Sequence, residues 1–158
     1  MKKVITLLAL LVSFSGFSQS FQLNEFVNLL KKNDDQLDTY LTKKGYQFFE
    51  SSEDGEYNQT IYVHKLKGVE THYLSKMIRK SNGSIIFRLQ TPDSKGYLTL
   101  KDDALKSNYK YISKETNNNS LYFIYKKKEI SLTFGTFKEI VTSDRAPRTG
   151  YKIYVEKN

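Results

Sequence analysis

One local pattern occurs twice in this chain, and that repetition constrains its fold more than any other feature. GYQFFESSEDGEYNQTIYVHK, residues 45–65, is followed 63 positions later by NYKYISKETNNNSLYFIYKKK, residues 108–128. Each copy follows a helix-like segment and opens a run of short aromatic and β-branched segments separated by turn formers.

The helix-like segments carry their own signals. In NDDQLDTYLTKKG, Asn33 or Asp34 can cap the start and Gln36 stands three residues after Asn33 as in a capping box. Leu37, Tyr40 and Leu41 then follow at helical spacing, Lys43 and Lys44 suit the negative end, and Gly45 can adopt the left-handed cap. Upstream, Leu23, Phe26, Val27 and Leu30 form another short apolar stripe. In the second half Thr99 is the expected cap, Leu100, Ala104 and Leu105 the stripe, and Asn108 takes the place of Gly45.

Strands are expected at 46–51, 59–66, 71–80 and 84–91, then at 109–114, 121–127, 130–140 and 151–157. The expected fold is therefore α+β, with two tandem helix-plus-four-stranded antiparallel sheet repeats at 19–92 and 93–158. Identities at the 63-residue offset are few: Leu37/Leu100, Lys43/Lys106, Tyr46/Tyr109, Ile61/Ile124, Tyr62/Tyr125 and Lys65/Lys128. Leu121, Phe123 and Tyr125 alternate as one face, which places Ile124 on the other. Either the repeats slip by one residue here or both faces carry apolar residues, and the sequence leaves this open.

The first 18 residues, MKKVITLLALLVSFSGFS, have two lysines, an apolar run and then small residues, the layout of a secretory signal peptide. Cleavage is expected after Ser18, releasing a chain that starts at Gln19 into the periplasm or the medium. No cysteine is present to carry a lipid anchor, a disulfide or thiol chemistry. The net charge of +8 loses two with Lys2 and Lys3 and becomes +6 in the exported chain. Such a balance favours acidic partners, although the lysines are spread among acids as on a solvated surface.

Motifs for catalysis are missing. There is no G-x-S-x-G, and the adjacent acids Asp34-Asp35 and Asp102-Asp103 point about 100° apart on a helix, as capping groups do. The two histidines, His64 and His72, face each other only if a three-residue loop joins their strands, and no third metal ligand accompanies them. No metal or cofactor is therefore expected. YFIYKKK has the basic and aromatic flavour of a nucleic-acid surface, but export argues against that partner. A membrane barrel is disfavoured because the strands lack a continuous lipid-facing apolar row.

The element order resembles the β-lactamase inhibitory protein type of fold and related PepSY-like exported proteins, in which tandem units pack short helices on four-stranded sheets. The resemblance covers nearly all of the exported chain as order and length of elements. With neither tryptophan nor cysteine here, no functional residue is transferred. What the resemblance implies is a broad concave face suited to binding.

The sequence thus reads as an exported, non-catalytic binding protein that engages a protein partner, with inhibition as one form of that role. The expected binding residues are Asp144, Arg145 and Arg148 in the connection TSDRAPRTG, and the outward tyrosines Tyr122 and Tyr154. The alternatives are a small cell-envelope hydrolase or glycan-acting enzyme, and a carrier holding an apolar ligand between helix and sheet.

Overall fold

The computed structural model describes residues 21–65, 71–117, 120–139 and 148–157. The signal-peptide segment lies outside them, as do Asp144 and Arg145. Helix α1 (Leu23–Asn28) runs through a 3₁₀ turn (Leu29–Lys31) to α2 (Asp34–Lys43). Strands β1 (Gln47–Asp54), β2 (Tyr57–Lys65), β3 (Thr71–Arg79) and β4 (Ile85–Thr91) follow, then α3 (Ser94–Lys106). The chain ends with β5 (Lys110–Asn117), β6 (Ser120–Lys127), β7 (Ile130–Glu139) and β8 (Arg148–Lys157).

All eight strands hydrogen-bond into one antiparallel sheet, in the order β1-β2-β3-β4-β8-β7-β6-β5. This overturns the expectation of two tandem helix-plus-four-strand repeats, although the class is still α+β. The physical reason is the ladder between β4 and β8, which runs from Ile86 opposite Glu156 to Thr91 opposite Tyr151. It turns two would-be edges into sheet interior and leaves only β1 and β5 unpaired on one side.

Local chemistry explains the helix ends. The Gln36 backbone N–H donates to Asn33 Oδ1 at 2.9 Å while the Asn33 N–H donates to Gln36 Oε1 at 3.3 Å, a complete capping box. Gly45 has φ of 80° and Asn108 has φ of 63°, and each follows a helix whose last carbonyls accept from the next backbone N–H groups. The second helix start differs from expectation. Helix α3 begins at Ser94, so Thr99 lies inside it rather than capping it.

The helices cover one face of the sheet. Phe26, Leu29, Leu37 and Leu41 from the first helical layer and Leu100 and Ala104 from α3 are buried against Leu74, Phe87, Leu132, Phe134, Ile153 and Val155. Each such large side chain contributes roughly 1.5–3 kcal/mol of burial free energy. Tyr97 of α3 meets Phe134 edge-on at 5.8 Å and Tyr151 at 4.6 Å, fixing that helix over β7 and β8. Polar ties hold the other end of the layer. Lys44 donates to Glu25 at 2.9 Å, joining α1 to the end of α2, and Lys76 of β3 is ion-paired with Asp34.

The question of faces is resolved without a slip. Tyr62 and Tyr125 both face the helices, where they are buried in the core, so Ile61 and Ile124 both belong to the opposite face. The edge hairpins even share an irregularity: the β1–β2 register shifts between Phe48 and Glu50, and the β5–β6 register shifts between Tyr111 and Ser113.

Candidate functional site

The face away from the helices is built by the alternate residues of the eight strands. Its central row, read from strand partner to strand partner, is Ile61, Ser75, Arg88, Tyr154, Thr133 and Ile124. The next row contains Tyr73, Gln90, Lys152, Gly135 and Tyr122. Strands β2 and β5 stand six places apart in the sheet, which at about 4.8 Å per strand would separate them by about 29 Å were the sheet flat. Instead Tyr57 of β2 and Glu115 and Asn117 of β5 line one cavity of about 510 Å³. The sheet is therefore strongly curled, and the open face is concave.

Curling buries polar side chains that no helix covers. Gln59 and Ser75 are 6% and 1% exposed, and both accept hydrogen bonds from Arg88 Nη2 at 3.3 Å. Arg88 also stands opposite Tyr154 in the neighbouring strand. Burial, with Tyr122 beside it, pushes the Tyr154 phenol up from its ordinary value against the opposing pull of Arg88. Arg79, by contrast, is paired with Glu156 at 3.3 Å and stacks over Tyr57 at 5.6 Å.

Two glycines shape the aromatic wall. A Cβ on Gly135 would stand 2.6 Å from the Tyr122 ring, and one on Gly150 would stand 2.4 Å from the Phe137 ring. Both rings thus lie across backbone that only glycine leaves bare. Tyr122 meets Tyr154 edge-on at 6.4 Å, and the Lys152 ammonium sits 4.6 Å over Phe137. Burial, and after it the charge of Arg88, holds the Lys152 ammonium below its ordinary pKa.

Of the residues expected from sequence, Tyr122 and Tyr154 come together on the concave face. Arg148 belongs to the first rung of β8, opposite Glu139, where the sequence reading places a loop and starts the strand only at Tyr151. The cationic residues of the site, Arg88 and Lys152, were not singled out in the sequence. Their signal was a single cation set between buried neighbours, Phe87 and Leu89 in one strand and Ile153 in the other.

Other places offer less. His64 and His72 are direct partners across β2 and β3, packed edge-on at 6.2 Å on the helix side. Among the described residues no group of three His, Cys, Asp or Glu side chains is placed to hold a metal. The space between helices and sheet lined by Phe21, Tyr46, Leu89 and Tyr97 amounts to about 10 Å³, about one water's worth of room, which does not favour the carrier alternative. Among the described residues no helix is long and apolar enough to cross a membrane. Comparison with protein-family models, with curated proteins and with solved structures finds no match for this chain.

Proposed function

We propose that this is an exported, non-catalytic binding protein whose concave sheet face receives part of a protein partner. The observation that carries the reading is the cavity of about 510 Å³ whose lining includes Tyr57, Arg79, Arg88, Tyr122 and Tyr154. Tyrosine gives broad contact area at low entropic cost and arginine gives directed polar contacts, the two residue types that dominate binding hot spots. The Tyr122 ring is already fixed by its Gly135 seat and by Tyr154, so little of its side-chain freedom is lost on docking.

One observation favours the hydrolytic alternative: Glu115 and Glu156 line the same cavity. Glu156, however, is ion-paired with Arg79. That contact occupies a carboxylate that a general acid or base would have to offer to a substrate. The binding reading is the better supported of the two.

Its test is a pull-down from envelope and culture fractions with the tagged full chain, a Tyr122→Ala/Tyr154→Ala variant and a Phe48→Ser/Phe49→Ser variant. Phe48 and Phe49 are 62% and 55% exposed on the β1 edge and provide the competing sticky surface. A protein captured by the native chain and by the edge variant, but lost with the tyrosine variant, supports the concave site. Capture lost only with the edge variant, or no capture at all, rejects it.

A further inference from the structure

We propose that Arg88 and Lys152 form the receptor for a carboxylate on an acidic segment of the partner, with Tyr122 and Tyr154 as the walls of that receptor. The inference rests on the concave-face reading above and names the chemistry the face selects.

The argument is one of unmatched charge. Five ion pairs are formed among the described residues, and neither Arg88 nor Lys152 takes part in any of them. Arg88 is instead held by neutral groups, Gln59 and Ser75, which orient the guanidinium without neutralising it. A guanidinium has five N–H donors in a planar fork. Two bonds from Nη2 therefore leave the Nε and Nη1 donors for an incoming carboxylate, each as a charge-assisted hydrogen bond.

Lys152 strengthens the case. It occupies the row next to Arg88, opposite Gln90 on one side and Gly135 on the other. Because Gly135 has no side chain, the Tyr122 ring lies over its backbone and forms a wall in the same row as Lys152. Two cations set close together and partly removed from water repel each other, and that cost is relieved when an anion arrives. The acids of the same cavity do not fill this role: Glu156 is engaged by Arg79, and Glu115 lies on the β5 edge, across β6 and β7 from Lys152. The net positive charge, +8 over the whole chain and +6 without Lys2 and Lys3, brings acidic chains toward the surface in general. Arg88 and Lys152 give that attraction a place with defined geometry.

The test is a fluorescence-anisotropy titration of the full chain with a labelled decapeptide of alternating Glu and Gly, against the same peptide with Gln for Glu. Four variants accompany the native chain: Arg88→Gln, Arg88→Lys, Lys152→Gln, and Lys126→Gln/Lys127→Gln as a control for diffuse surface charge. Binding of the Glu peptide should weaken at least about tenfold in Arg88→Gln and by a smaller factor in Lys152→Gln. Loss of one buried charge contact is worth about that much or more. Arg88→Lys should recover only part of the loss, because lysine keeps the charge but not the guanidinium's fixed planar set of donors. The Lys126/Lys127 variant should bind within about twofold of the native chain, as expected for exposed charges.

No binding of the Glu peptide, equal binding of the Gln peptide, or equal losses from the Lys126/Lys127 control would overturn the proposal. So would full competition by free glutamate at the same carboxylate concentration, since the ligand would then be a small acid rather than a chain segment. If Arg88→Gln loses the native circular-dichroism spectrum, Arg88→Lys decides, and unchanged affinity in that variant counts against the guanidinium as the receptor. Peptide binding can fail while the tyrosine-dependent pull-down succeeds, which would remove the acidic specificity and keep the binding face. Peptide binding at Arg88 without any captured protein would do the opposite.

Discussion

The two faces of this sheet are made from the same strands yet carry opposite chemistry. On β7, Phe134 is fully buried among Tyr97 and Tyr125 under the helices, whereas its neighbour Gly135 faces the concavity and supports the Tyr122 ring. On β8, Ile153 and Val155 are fully buried, while Lys152, Tyr154 and Glu156 point into the open face. The covered face buries apolar area and holds the fold together. The open face carries Arg88 and Lys152, which take part in no ion pair among the described residues.

That division makes Phe134→Ala the most damaging single change considered. It removes a fully buried ring and its edge-on contacts at 5.7 and 5.8 Å, so a loss of about 3–5 kcal/mol is expected. Urea denaturation would measure it. A loss under about 1 kcal/mol would mean that the helical layer does not depend on this face. Gly135→Val, one residue away, should behave differently. Its new Cβ would stand 2.6 Å from the Tyr122 ring, and the ring must swing off its seat. Because that ring faces open space, the cost should be about 1–3 kcal/mol. Partner capture should fall as it does for the tyrosine variant. A Gly135→Val chain that unfolds like Phe134→Ala would show that the concave face is also structural core.

The smallest effect sharpens the comparison at the helical layer. Burial alone would raise the Glu25 carboxyl, but the Gln22 backbone N–H and Lys44 outweigh it and hold the carboxyl below its ordinary value. The lowered folded value means that Glu25 stabilises the fold above its unfolded pKa of about 4.3, and that this contribution is lost as pH falls through the folded value. With the Glu25 side chain 34% exposed, screening limits the effect of Glu25→Gln to no more than about 1 kcal/mol at pH 7. Denaturation midpoints of native and variant chains should converge once the pH is well below the folded value. A gap that persists in acid would assign the loss to packing rather than to charge.

Sequence resolved the features that depend on near neighbours. The Asn33–Gln36 capping box, the left-handed residues Gly45 and Asn108, and the alternation that divides β7 and β8 into two faces are all set within about four residues. Tyr122 and Tyr154 were legible as outward residues for the same reason. The chain could not announce its centre, because the β4–β8 ladder is made of backbone groups that every residue possesses, and its partners lie sixty to seventy positions apart. Two separate four-stranded sheets and one eight-stranded sheet share the same local pattern. Only closure of that ladder decided between them, and with it came the concave face that brings Arg88 beside Tyr154 and places Lys152 across from Gly135. Periodicity determines which side of a strand a residue occupies; curvature and strand order, which arise from the whole sheet, determined what it meets there.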